Sequence, residues 1–460
     1  MKKNLMKLFS VAVLPALIIS CRPAVNEQSE QKQYVVQSNI IHPDWVKDAV
    51  IYEVNIRQHT KEGTFNAFTE DLPRLSKLGI DILWLMPVHP IGEKNRKGPL
   101  GSYYSVKDYY STNPEFGTTE DLKNLVNKAH SLGMYVILDW VPNHSAWDNE
   151  LVVKHPDWYA KDTLGNMYSP RGWVDVVKFD YNNKDLRTYM TGALKYWITE
   201  VGVDGYRCDV AGDVPCDYWN EARASLDSLS KPIFMLAENE NKNCLLEEAF
   251  SMNYGWELHH IMNDIAAGEK TVEHLKTFYA KHDTLYEPNI IQMNFLTNHD
   301  ENTWRGTISE RYGEAAEVYA LMIFTVPGMP LLYSGQEVGL DKRLEFFERD
   351  PVEWKESEWT DIYKKFIDLK TNHSVFWNGD QGGSFEIIES VYDDVFAFQR
   401  KDTREEAIVI LNFSDSPRMI NFNNTGIKGE YSNAFSDENI DVSRGIKLGA
   451  YSYSVLLNEL

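Results

Sequence analysis

The sequence is short of positive charge, of cysteine and of long apolar runs. Lys and Arg total 46 against 68 Asp and Glu, a formal net charge of −22. A surface of that sign repels phosphate backbones and anionic headgroups, which argues against nucleic acid as a partner. Of the four cysteines, Cys208, Cys216 and Cys244 follow Cys21. Three is an odd set that supplies neither a disulfide framework nor a metal-ligand spacing, so packed core or loop thiols are expected. The N-terminal apolar run, Leu8 to Ile19, is too short to span a bilayer comfortably. Internal repeats and low-complexity tracts are absent as well.

What is there begins with that run. It follows Lys2, Lys3 and Lys7 and has the length of a secretory h-region. Its end, Ile18-Ile19-Ser20-Cys21, is similar to a bacterial lipobox, which implies cleavage before Cys21 and attachment to a membrane through a lipid on that cysteine. Residues 1–20 then form a lipoprotein signal peptide, and residues 21–43, polar and glutamine-rich, form a flexible tether. The setting implied is the periplasmic face or the surface of a Gram-negative outer membrane. Arg22-Pro23-Ala24-Val25 carries no acidic run, which favours the periplasm. Nothing in the sequence names a protein partner.

From residue 50 to about 374, short aliphatic runs alternate with amphipathic stretches of helix length, the rhythm of parallel strands each followed by a helix. Eight strands are expected at Val50–Val54, Ile80–Leu85, Tyr135–Asp139, Gly205–Asp209, Ile233–Ala237, Ser251–Tyr254, Ile291–Leu296 and Leu331–Tyr333. Helices are expected at Phe65–Leu78, Thr119–Leu132 and Tyr218–Leu229. An open, doubly wound sheet is the rival, but eight units in roughly 320 residues favour a closed (β/α)8 TIM barrel over residues 44–376. A lobe, residues 145–186, is inserted after strand 3, being too long for an ordinary loop. Residues 377–460 change to alternating short strands, the pattern of a C-terminal antiparallel β-sandwich.

Functional groups of such a barrel stand at the C-terminal ends of its strands. Strand 3 runs into Asp139-Trp140-Val141-Pro142-Asn143-His144, and strand 4 ends Arg207-Cys208-Asp209. Strand 5 ends in Glu238 and strand 7 in His299-Asp300. Alternation along strand 4 puts Arg207 and Asp209 on the inner face and Cys208 toward the helices. A lone Asp at a strand end is more often a cap. Three acids from three strands, with an arginine and two histidines, suit glycosidic cleavage, whose oxocarbenium-like transition state needs carboxylates nearby and one protonated carboxyl. Zinc is not expected, because neither His144 nor His299 lies in a metal-spacing motif.

These four segments resemble, in order, the four sequence regions of the alpha-amylase family of glycoside hydrolases, over about residue 44 to the C-terminus. The resemblance implies that Asp209 is the nucleophile, Glu238 the general acid/base, and Asp300 the acid that grips the sugar hydroxyls. Arg207 would hold Asp209 ionised. Asp139 would organise the site, His144 and His299 would bind glucose hydroxyls, and Tyr104 would stack on the ring. The substrate implied is an alpha-glucan or maltooligosaccharide, cleaved with retention by double displacement and with no cofactor in the chemistry. The same machinery serves glucanotransferases and disaccharide isomerases, and a barrel can persist as a non-catalytic glycan-binding scaffold.

In many relatives structural calcium is bound at the positions of Asn143 and Asp180, and oxygen ligands of that kind suit it. The chain departs from that pattern in two places. Gly212 and Asp213 stand where some relatives carry Lys-His, and Arg57-Gln58-His59-Thr60 replaces an Asp-rich loop. In the lobe, Trp140, Trp147, Trp158, Tyr159, Tyr168 and Trp173 are expected to divide between sugar platforms and a small core.

Overall fold

The computed structural model describes residues 34–422 and 425–460. Its centre is a closed barrel of eight parallel strands: β1 Ile51–Val54, β2 Ile82–Leu85, β3 Tyr135–Trp140, β4 Gly205–Cys208, β5 Phe234–Ala237, β6 Met252–Tyr254, β7 Ile291–Phe295 and β8 Met329–Tyr333. Each pairs with the next, and β8 returns to β1. All eight expected strands are present, and the doubly wound alternative is set aside. The strands carry apolar residues on both faces because both are covered. Along β2, Ile82 and Trp84 fill the lumen while Leu83 and Leu85 pack against the helices. The helix Phe65–Leu78 starts where the Thr64 side chain accepts from the N–H of Ala67, and it stops at Gly79, whose φ of 101° suits a residue without a Cβ.

The floor of the barrel corrects the expected tether. Cys21 and residues 1–33 lie outside the described residues, but residues 34–43 are seated on the protein. Val36 N–H donates to Leu285 O at 2.9 Å, and Glu287 N–H to Val36 O at 3.1 Å. The His42 ring bonds Asn289 O at 2.7 Å. Val36 and Ile40 are buried, and these apolar anchors outweigh the polar composition around them. Just beyond, Trp45 stacks on Tyr135, 4.1 Å between centroids, and meets Phe234 from below. The chain therefore begins its described course at the N-terminal end of the barrel, opposite the mouth.

The inserted lobe is pinned by a two-strand hairpin, His144–Ala146 with Val176–Lys178. It is over by Asn183, which caps the helix Lys184–Tyr196. Beyond the barrel lie a six-stranded antiparallel sheet and a two-stranded one, Arg418–Ile420 with Ile446–Leu448. The larger sheet docks on the barrel: Arg400 Nη1 donates to Thr325 O at 3.0 Å, and Phe413 stacks on Tyr319 at 4.5 Å.

A second correction concerns cysteine. Cys216 and Cys244 form a disulfide, with Cα atoms 6.1 Å apart, between the segments that follow β4 and β5; among the described residues only Cys208 is free. The sequence counted three thiols but could not bring those two loops together.

Candidate active site

The mouth is organised by a buried arginine. Arg207, from β4, places Nη1 at 2.9 and 3.1 Å from the two oxygens of Asp139 and at 3.3 Å from Asp209 Oδ1. Its Nη2 lies 3.1 Å from Glu238 Oε2, and its Nε donates to Tyr254 Oη at 3.0 Å. One planar fork thus touches carboxyls from β3 and from the ends of β4 and β5. Burial raises Asp139, to about 6, against the pull of Arg207. Glu238 is also held from the side of Asp209, because Val210 N–H donates to its Oε2 at 2.7 Å.

Asp209 is under opposing pulls. Arg207 does pull its carboxyl down, but burial and the charge of Glu238 outweigh that pull, and Asp209 stands well above the usual carboxylate range. Two carboxyls this near one another resist carrying two charges. The residue that follows is strained: Val210 adopts φ 36° and ψ 46°, a left-handed conformation costly for a β-branched side chain.

The opposite wall comes from β1, β7 and the loop that follows β2. Tyr104 donates its hydroxyl to Asp139 Oδ2 at 3.0 Å and lies 2.9 Å from His299 Nε2, its ring stacked against that imidazole. His299 Nδ1 meets Glu53 Oε1 at 2.5 Å. Burial disfavours charge on His299, yet Asp300 and Glu53 together push it up to about 9. Asp300 is open to the pocket, and its Oδ1 accepts from the indole of Trp304 at 3.1 Å. His144 is neutral, since burial lowers it to about 3; its Nε2 reaches Tyr104 O at 3.2 Å, and Trp173 stands over it edge to face.

All eight residues expected at the catalytic and sugar-binding positions therefore converge at one mouth. Glu53 and Trp304 belong there too and were not anticipated. Cys208 points outward into the barrel–helix core, as alternation required. A cavity of about 540 Å³ holds Tyr104, His144, Asp209, Glu238, His299 and Asp300. It shares Val210, Glu238 and Trp256 with a second cavity of about 760 Å³ running under the lobe past the Arg171–Asp213 ion pair. Of the lobe aromatics, Trp140, Trp158 and Tyr159 are buried core, whereas Trp173 lines the pocket.

The donors expected for calcium do not fit it. Asn143 Oδ1 accepts from the Lys178 ammonium at 3.3 Å, so a cation already occupies that oxygen. Asp180 Oδ1 is committed to the backbone and side-chain N–H groups of Asn182, at 3.0 and 2.8 Å. In the first loop, Arg57 fills the space with its own charge, paired to Glu115 at 3.1 Å and stacked on Tyr103.

A mouth lined by carboxyls, hydroxyls and ring faces suits a polyhydroxylated ligand, and comparison with known proteins agrees. Residues 40–397 match the family model described as the alpha amylase catalytic domain. The chain is 25% identical over 475 residues to Alpha-amylase 2 of Dictyoglomus thermophilum, across 93% of this chain and 79% of that protein. The solved structure of maltogenic alpha-amylase AmyB from Thermotoga neapolitana superposes with a TM-score of 0.82 at 32% identity, covering 90% of this chain and 100% of that one. An alpha-amylase from Lactobacillus plantarum gives 0.81 at 30%, over 90% and 99%. The chain belongs to the alpha-amylase family, and it is a glycoside hydrolase.

Proposed function

We propose that this enzyme hydrolyses alpha-1,4-glucosidic bonds of starch-derived glucans and maltooligosaccharides, with alpha-1,6 bonds in the same class, by double displacement with retention. The observation that carries the reading is the Arg207 fork, which gathers Asp139, Asp209 and Glu238 on one pocket wall opposite Asp300 and Tyr104. Asp209 attacks the anomeric carbon while Glu238 gives its proton to the departing glycosidic oxygen. Water, deprotonated by Glu238, then displaces Asp209 and restores the alpha configuration. Asp300 and the two histidines hold hydroxyls of the sugar under attack, and Tyr104 packs on its face. Incubation with maltotriose tests the reading: the first reducing end formed is the alpha anomer by proton NMR. An initial beta anomer, or no cleavage, refutes it.

Glucan transfer is a second reading, favoured by the 760 Å³ cavity beside Glu238, where a sugar could replace water as acceptor. Products longer than maltotriose, appearing early, would establish it.

We infer export and a lipid anchor on Cys21. The Cys216–Cys244 bond supports an oxidising compartment. Fatty-acid labelling that is lost in Cys21→Ser tests the anchor.

A further inference from the structure

Glu53 sits in the middle of β1 with no exposure to solvent. Its Oε1 takes the short bond from His299 Nδ1, and among the described residues its Oε2 has no hydrogen-bond partner. No lysine or arginine pairs with it among the described residues, so the cation that offsets this buried carboxylate is His299 itself. A carboxylate at Nδ1 commits that proton downward and leaves Nε2 facing the pocket.

The far nitrogen decides what happens next. Nε2 lies 2.9 Å from Tyr104 Oη, and the same hydroxyl is 3.0 Å from Asp139 Oδ2. A hydroxyl has one proton. If His299 is doubly protonated, Nε2 donates to Tyr104, and Tyr104 must donate to Asp139. If His299 is neutral with its proton on Nδ1, Nε2 becomes an acceptor that competes with Asp139 for the Tyr104 proton. The choice reaches Arg207 and Asp209, because Asp139 is the closest partner of that arginine.

We infer that Glu53 is a positioning residue: it holds His299 as an imidazolium, fixes the direction of the hydrogen-bond chain His299–Tyr104–Asp139–Arg207, and presents a cation to the sugar hydroxyls beside Asp300. The carboxyls facing the ring fit this. Glu53 lies below it, Asp300 Oδ2 stands 3.6 Å from Nε2, and Asp139 adds negative charge from across Tyr104. Burial, with Trp84 and Phe346 excluding water from the ring's sides, and the charge of Arg207 oppose it, and the carboxylates outweigh both. The rise of His299 to about 9 agrees with the geometry.

The inference rests on the proposed glucan chemistry only for its consequence in catalysis, so two readouts are needed. Glu53→Gln keeps the shape and an acceptor for Nδ1 but removes the charge. In the full-length protein, the imidazole signals of His299, assigned through His299→Gln, are followed by nitrogen NMR against pH. The wild-type ring should remain doubly protonated through neutrality, and the variant should lose a proton at least about one pH unit lower. The ratio of wild-type to variant kcat/KM on maltotriose should rise at least about twofold between pH 6 and 8, carried by KM, as the variant ring discharges. Glu53→Ala should show the same displacement of the ring titration, which separates charge from amide geometry; circular dichroism checks the fold of each variant. An unchanged His299 titration, or a loss equal at every pH, overturns the inference. Failure of wild-type protein to cleave any alpha-glucan would sink the functional reading while leaving the NMR result to judge Glu53.

Discussion

The backbone N–H of Val210 donates to Oε2 of Glu238 at 2.7 Å, and it does so from a left-handed conformation. The strain is spent next to Asp209, where it aims one main-chain donor at the neighbouring acid. Glu238→Gln can keep this bond through its amide oxygen, so the fold should survive. Turnover of glucans with poor leaving groups should fall about 10²- to 10⁴-fold, the usual worth of acid catalysis. With a maltosyl fluoride, which needs little acid assistance, the initial release of fluoride should keep much of its rate, while hydrolysis of the glycosyl-Asp209 ester, which needs Glu238 as base, stays slow. Because Glu238 is one of the causes that raise Asp209, its neutralisation should move the acid limb of that residual rate to lower pH. An acid limb that stays in place would contradict the assignment.

Arg207 and Asp139 are both buried, and each is the other's nearest charged partner. Asp139→Ala leaves an arginine to be balanced by Asp209 and Glu238 alone. Breaking a buried pair in this way costs about 3 to 5 kcal/mol. Denaturant titration should report that loss, together with at least a tenfold drop in kcat. A variant as stable as wild type would show that the pair is not a keystone of the mouth.

Lys178 stands where the lobe joins the barrel, its ammonium on Asn143. Thermal unfolding should therefore be the same with a chelator and with added calcium. Lys178→Ala should lower the melting temperature in both media, because it leaves the Asn143 oxygen without its donor. A melting temperature that falls with chelator in the wild-type protein would contradict this.

Asp81, below the barrel, accepts from Val50 N–H at 2.9 Å. Burial raises it to about 7 in spite of that bond. The folded state therefore keeps a proton that the unfolded chain releases near pH 4. The contribution to stability is full below that value and is lost as pH climbs toward 7. Asp81→Asn should stabilise the protein by on the order of 1 to 3 kcal/mol at pH 8 and by much less at pH 4. Equal effects at both pH values would refute the shift.

Much of this was legible in the chain. Alternating runs located the barrel because strands covered on both faces must be continuously apolar, and strand ends located the acids because that is where such a barrel opens. Glu53 escaped notice because Ile51-Tyr52-Glu53-Val54 reads as an ordinary strand. Its signal was an acid inside an otherwise apolar run, and it gains meaning only when β1 and β7 face one pocket. Trp304, four residues after Asp300, returns to it only through the turn Glu301–Arg305. The Cys216–Cys244 bond depends on two loops meeting in space, which spacing in the sequence does not report. The segment carrying Val36 and Ile40 looked like a tether because two buried side chains are a weak signal among polar neighbours.

The most direct test of the central claim is to trap the enzyme with a fluorinated maltosyl fluoride, using Glu238→Gln if wild-type turnover is too fast, and to locate the adduct by peptide mass spectrometry. The account predicts one glycosyl group bound as an ester to Asp209. An adduct on any other residue, or full turnover with no adduct and inversion at the anomeric carbon, would contradict it.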